Sequence, residues 1–188
     1  MKKTLCMVAC TMLLSGCLQS NIPVEALPEL TFKHLAPVPV NAAKIEVLDK
    51  TAARVDGGYV DHRLPTTPKD ALKNWARDRL SPYGQLGLAR VIIKEAGVKE
   101  EKLTKETGLK GIFTADQSER YTATVEVVIE LRDDNQNIIS SVTANASRYT
   151  TMAENFSLLD REKAWLELVE KLMVDFDRVV VGKMQGRF

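Results

Sequence analysis

From Glu119 to Asp133 the chain trades apolar for polar side chains at nearly every step. Tyr121, Ala123, Val125, Val127, Ile129 and Leu131 alternate with Thr122, Thr124, Glu126, Val128 and Glu130. A period of two sends these sets to opposite faces of a strand, so one face is buried and the other is mostly polar. Asp134-Asn135-Gln136-Asn137 is turn chemistry. Ile138–Tyr149 then reads as a further strand, with Ile138, Val142, Ala144 and Ala146 on one face. The two strands are expected to pair as an antiparallel hairpin.

Other stretches follow the helical period. In Thr67–Leu80, Leu72, Trp75, Ala76 and Leu80 share a face, while Lys69, Lys73, Arg77 and Asp78 project elsewhere. Thr67 suits the N-cap, Pro68 the first helical position and Asp70 the positive end of the dipole. Ser81-Pro82 stops the helix, and Tyr83-Gly84 turns the chain. A second helix runs from Ser157 to about Lys183, opened by Ser157 with Asp160 as a capping box. Leu158, Trp165, Val169, Leu172, Phe176 and Val180 form its apolar stripe, flanked by Leu168 and Met173. Lys183 and Arg187 place cations near its C-terminal end, where they suit the dipole. Trp75 and Trp165 each lie on the stripe of their own helix and read as core, with their rings brought close together.

Lys44–Asp49 reads as a first strand, Ile45 and Val47 sharing a face, and Leu86–Ala96 as a second. The order is therefore β-α-β-β-β-α. A helix between the first two strands implies a parallel, right-handed crossover. A sheet with one apolar face needs only one covering layer. The expected fold is an α+β two-layer sandwich, a mainly antiparallel four-stranded sheet with both helices on one face. Thr51–Thr66 has no clear period and reads as loop, and Val98–Ser118 as a long polar connection.

Ahead of this domain, placed at 44–188, the chain changes character. Leu18–Ala43 contains Pro23, Pro28, Pro37 and Pro39 without sustained periodicity, and reads as an extended tether beginning at Cys17, with Leu27, Leu30, Phe32 and Leu35 as the apolar residues through which part of it could instead lie on the domain. Before it, Lys2 and Lys3 precede a ten-residue apolar run, Leu5–Leu14, followed by Ser15 and Gly16. That is the charged, apolar, small-residue order of a secretory signal, here residues 1–16. The run is too short to cross a bilayer, which takes about 20 apolar residues. Cys6 and Cys10 fall inside the signal, so the cleaved chain keeps one sulfur, Cys17. A disulfide-free fold is then expected, held by its core.

Charge excludes some classes of partner. Without Lys2 and Lys3 the chain carries 24 basic against 25 acidic side chains, which leaves no broad electrostatic footprint for nucleic acid. His34 and His62 are the two histidines; they lie in the tether and a loop, far from the spacing of a zinc site. No phosphate-binding glycine loop or nucleophile elbow occurs, and no metal or cofactor is expected. Glu126 and Glu130 share the polar face of one strand and are the candidate carboxylates for hydrolysis. Gly108-Leu109-Lys110-Gly111-Ile112-Phe113 sets three large apolar side chains between glycines in a charged connection. Leu109, Ile112 and Phe113 are therefore candidate contacts for a protein partner or a lipid. The Thr- and Ser-rich sheet face (Thr122, Thr124, Ser141, Thr143, Ser147) is a second candidate surface.

Leu14-Ser15-Gly16-Cys17 resembles the bacterial lipobox. That resemblance implies cleavage before Cys17, a diacylglycerol on its sulfur and a third acyl chain on its amine. Acyl chains contribute about 0.8 kcal/mol per buried CH₂, so two or more hold a domain stably on a membrane. Leu18 stands where an aspartate, in enterobacterial lipoproteins, favours the inner membrane; the resemblance thus implies the outer membrane, facing the periplasm. The order of elements over roughly residues 44–182 is similar to small envelope lipoproteins of the lipopolysaccharide-assembly type and to auxiliary lipoproteins of envelope ABC transporters. Those are α+β sandwiches that act by binding. Leu18 and Gln19 replace the glycine and aromatic residue usual after the cysteine in the assembly family. Asn74–Leu80 (NWARDRL) and Glu119–Val127 (ERYTATVEV) resemble uncharacterised lipoproteins of alphaproteobacteria.

The resulting expectation is a non-enzymatic envelope lipoprotein serving as an accessory subunit of an assembly or transport complex. A lipid or glycolipid carrier is the alternative and needs an apolar cavity between helices and sheet; an envelope hydrolase is a third. Cys17→Ala should abolish fatty-acid labelling and leave the full-length precursor. Normal processing of that variant on a gel would contradict lipidation at Cys17.

Overall fold

A computed structural model describes residues 29–52, 57–103 and 117–188. Cys17 and the trio Leu109, Ile112 and Phe113 lie outside them. The elements are β1 (Val38–Val40), β2 (Lys44–Asp49), a single 3₁₀ turn (Asp61–Arg63), α1 (Pro68–Arg79), β3 (Leu80–Pro82), β4 (Leu88–Lys102), β5 (Gln117–Arg132), β6 (Ile138–Ala153) and α2 (Leu158–Met184). The main sheet has the order β2-β4-β5-β6. β2 runs parallel to β4, and the other neighbours are antiparallel. This is the expected α+β sandwich, with the crossover through α1 and the β5–β6 hairpin in place.

β5 behaves as its alternation dictates. Tyr121, Ala123, Val125, Val127, Ile129 and Leu131 are all buried, and the residues between them are half-buried. β4 achieves the same result with a correction built in. Ile93 pairs with Val127 but Glu95 pairs with Glu126, so one extra residue is inserted at Lys94. The bulge reverses the phase of the strand. Ala89, Val91 and Ile93 point inward before it, Ala96 and Val98 after it. Unbroken alternation would have turned Glu95 into the core. On β6, Val142 and Ala144 are buried as expected, but Ile138 is exposed. A second register shift, between Leu131 and Arg132, frees the start of β6 from the pattern.

Both helices start where their caps say. Thr67 Oγ1 accepts from Asp70 N at 3.1 Å, and Ser157 and Asp160 form a full capping box. Both lie on the apolar sheet face and meet through one polar device. Asp177 on α2 accepts from Trp75 Nε1 at 2.8 Å and from Arg79 Nε and Nη2 at 2.8 and 3.1 Å, both on α1. Beside it Trp75 packs edge-on against Phe176, ring centroids 5.1 Å apart. Arg79 is only 7% exposed, so its charge depends on this carboxylate. Trp165 lies eleven residues before Phe176, about 16 Å along the helix. It packs instead on Tyr121, centroids 5.5 Å apart. The two tryptophans are thus core, as expected, but they anchor separate regions.

Residues 29–43 are not an extended tether but take the alternative that their apolar side chains allowed, a strap lying on the domain. β1 pairs in parallel with β3, a two-stranded sheet beside the main one. Phe32, Val38, Val40 and Ala42 are buried. Phe32 N donates to Asp78 Oδ2 at 3.0 Å, and Asn74 Nδ2 donates to Leu30 O at 3.1 Å. Four apolar side chains outweigh the prolines once α1 offers a flank to cover. Gly84 lets the strap pass closely, since a Cβ there would lie 2.7 Å from Ala42 N; Gly87, whose φ is +76°, makes the like approach to Arg132 O at the end of β5. The loop read over Thr51–Thr66 also contributes, burying Val60 and Leu64 around the 3₁₀ turn.

Asp177→Ala should cost about 3–5 kcal/mol, because it strands a buried guanidinium and an indole N–H together. Urea unfolding of the variant against the parent measures it; a loss below about 1 kcal/mol would mean the clamp adds nothing beyond packing.

Candidate functional site

The sheet face away from the helices is open. Across it stand Arg90, Ile92 and Glu95 on β4, Thr122, Thr124, Glu126, Val128 and Glu130 on β5, and Ser141, Thr143, Asn145 and Ser147 on β6. The Thr- and Ser-rich surface expected from the alternation is there. A shallow groove of about 270 Å³ crosses it between Glu95, Thr124, Glu126, Asn145 and Ser147.

Glu126 and Glu130 lie four residue steps apart on one face of β5, their Cα atoms about 13 Å from each other. Glu130 is engaged, accepting from Arg132 Nε at 2.8 Å and Nη2 at 2.6 Å. Glu126 instead sits directly opposite Glu95, which accepts from Thr124 Oγ1 at 3.1 Å. His34 and His62 are both exposed and lie on separate segments. Among the described residues, no three His, Cys, Asp or Glu side chains are grouped to hold a metal ion.

The densest polar construction sits at the end of the sandwich where the connection between β4 and β5 leaves. Glu119 and Tyr121 open β5, Glu100 closes β4, Arg161 lies in the first turns of α2, and Arg63 ends the 3₁₀ turn. Arg161 Nη1 donates to Glu119 Oε2 and, at 3.2 Å, to Tyr121 Oη. Tyr121 Oη donates to Glu119 Oε2 at 2.8 Å. Arg63 Nη1 donates to Glu100 Oε2 at 2.6 Å, and its guanidinium lies 5.2 Å from the Trp165 ring centroid. That contact is a cation–π arrangement over a buried indole. The Trp165 Nε1–H has no hydrogen-bond partner.

The electrostatics of this cluster are those of a brace. Burial works to raise the Glu119 pKa, but the hydrogen bonds from Arg161 and Tyr121 outweigh it and hold the carboxyl below its ordinary range. Burial and the bond to Glu119 push the Tyr121 hydroxyl up to about 12. Arg161 is held more firmly protonated by Glu119. Every charge has a counter-charge, and the hydroxyl keeps its proton, so the group offers no nucleophile or free base near neutral pH. What it does is fasten both stems of the connection carrying Leu109, Ile112 and Phe113 to α2 and to the 3₁₀ turn.

The same end carries exposed apolar side chains that the helical period assigns to the core or passes over. Leu158 is 69% exposed, Leu159 50% and Phe156 37%. The opposite end has its own apolar group, Tyr83, Leu86, Ile138 and Ile139.

No protein-family model matches the chain, and no curated protein matches it. Among solved structures it is similar to a minor lipoprotein from Acinetobacter baumannii, at 14% identity over 74% of this chain and 91% of that one, with a TM-score of 0.38. It is also similar to rare lipoprotein B from Shewanella oneidensis, at 10% identity over 73% of this chain and 92% of that one, with a TM-score of 0.33. At such distances the function has to be argued from this chain's own residues.

Tyr121→Phe tests the brace. The folded protein keeps the Tyr121 proton to about pH 12, against 10.0 for a free tyrosine. A raised acid pKa adds stability that is whole below pH 10 and lost as pH climbs through 12. The variant should lose about 1 kcal/mol at pH 8 and show a shallower stability decline between pH 10 and 12. Identical alkaline slopes in the two proteins would mean the hydroxyl is not held as described.

Proposed function

We propose that the chain is a lipid-anchored envelope protein whose domain works by binding, as a non-enzymatic accessory subunit of an envelope assembly or transport complex. The observation that carries this reading is Leu14-Ser15-Gly16-Cys17, placed after Lys2, Lys3 and the apolar run and 12 residues ahead of the first described residue. Acyl chains on Cys17 would be the membrane contact. Among the described residues no helix is long and apolar enough to cross a membrane. With Leu18 after the cysteine, the outer membrane is the proposed site, facing the periplasm.

Binding rather than catalysis is supported by how the polar groups are used. Glu130, Glu119, Arg161 and Asp177 are all engaged in internal ion pairs or hydrogen bonds. The surfaces left for a partner are the open sheet face and the braced end with Phe156, Leu158 and Leu159. Between the layers, among the described residues, Leu72, Trp75, Tyr121, Trp165, Leu172, Met173 and Phe176 pack together and are each 1% exposed or less. The carrier reading therefore gains no support from the interior.

Affinity purification of the tagged full chain from membranes in mild detergent tests the proposal. An envelope protein recovered in near-stoichiometric amount is the expected result, and its yield should fall when Leu158 and Leu159 are both changed to Ser. Recovery of the chain with no other envelope protein would refute the accessory role.

A further inference from the structure

The two edges of the main sheet are treated differently. On one side β2 covers β4 only from Leu88 to Ile93. The rest of that edge is closed by the loop before the 3₁₀ turn: Val60 N donates to Val98 O at 3.0 Å, Glu100 N to Gly58 O at 2.7 Å, and Tyr59 bridges Lys99. On the other side β6 is the last strand in the order, and among the described residues nothing pairs along its outer edge. It is 16 residues long, roughly 50 Å.

A long bare edge is a template for another strand, and proteins usually blunt it with proline, lysine, brevity or a covering loop. β6 (IISSVTANASRYTTMA) carries no proline or lysine of its own; the lysine at its edge is Lys183 of α2, which has to swing off the Thr143 carbonyl for a second strand to pair there. The one charge of β6, Arg148, is turned to the helix side, where Nε meets Asp175 Oδ2 at 2.5 Å. The outward backbone groups can be assigned. Thr143 O accepts from Lys183 Nζ at 2.7 Å, so the Thr143 carbonyl lies on the free edge. In an antiparallel ladder alternate residues direct both backbone groups the same way. Ser141, Asn145, Ser147, Tyr149 and Thr151 therefore also present N–H and C=O outward.

We infer that the β6 edge pairs with the β6 edge of a second copy of this chain, joining two sheets into one of eight strands. Antiparallel pairing of like edges makes a two-fold, self-complementary contact. With one charge per strand, a register centred on Asn145 sets Arg148 opposite Val142 of the other copy, Tyr149 opposite Ser141 and Ser147 opposite Thr143. No like charges meet. The two-fold lies perpendicular to the joined sheet, so both helix layers stay on one side. Leu30 of each copy, fastened to Asn74 of α1, is on that side too. The first described residues of the two copies therefore lie on the same side of the joined sheet. The inference goes beyond the accessory role and does not rest on it.

Sedimentation velocity of the full chain in mild detergent, over roughly 1–100 μM, reads the association. Two copies per particle are expected. Asn145→Pro removes an outward N–H while leaving the β5 ladder whole, which an edge strand tolerates, and should weaken association at least tenfold with the circular dichroism spectrum unchanged. Should that variant fail to fold, Ser141→Lys with Ser147→Lys blocks the edge by charge and should have the same effect. A wild-type chain that stays single at 100 μM overturns the inference, including the case in which a strand of a different protein takes the edge. So does a dimer that survives the variants.

Discussion

Everything in this fold answers to one constraint: β5 is apolar on one face only. A 16-residue strand at an interior position of the sheet commits its neighbours to the same two-sidedness. Burying that face takes two helices side by side, and side-by-side helices must settle the polar groups caught between them. Asp177 does this where α1 meets α2, since a single carboxylate satisfies both the indole of Trp75 and the guanidinium of Arg79. A buried pair of this kind adds less stability than its geometry suggests, because desolvating both charges offsets most of their attraction. Its effect is on arrangement: with Arg79 inside, α1 and α2 have one mutual setting that leaves no charge alone.

The parts of this architecture that repeat were legible from the residues. Period two in β5 and period 3.6 in both helices reported burial directly, and the caps at Thr67 and Ser157 marked starts to within a residue. What escaped were positions decided by contacts distant in sequence. Phe32, Val38, Val40 and Ala42 have no period of their own; they are buried because α1 and β3 lie beside them. Asp78 looked like an outward charge and is covered by the strap, its side chain 1% exposed. The bulge at Lys94 is invisible to simple alternation, since only the pairing with β5 reveals the extra residue. Leu158 keeps the helical stripe yet is exposed, which the period alone could not report.

For the candidate surfaces the division is similar. The polar sheet face could be read from Thr122, Thr124 and Glu126, whereas the ion pair between Glu130 and Arg132 could not, because it needs the side-chain direction of Arg132. The brace of Arg63, Glu100, Glu119, Tyr121 and Arg161 left no local motif, for its members come from four elements. It explains why a long connection can leave the sandwich without loosening it: the strands at its root are tied to α2 on one side and to the 3₁₀ turn on the other.

The strap has a mechanical consequence. Any pull on the chain ahead of residue 29 reaches the domain through Leu30 and Phe32, which are fastened to Asn74 and Asp78 on the outer flank of α1. Beyond them the load passes to the three-residue parallel pair of β1 with β3. Tension would fall first on these contacts and on the buried side chains of Phe32, Val38, Val40 and Ala42 before it acts on the main sheet. The strap thus serves as a strain relief between whatever holds the N-terminus and the layer of side chains that holds the fold.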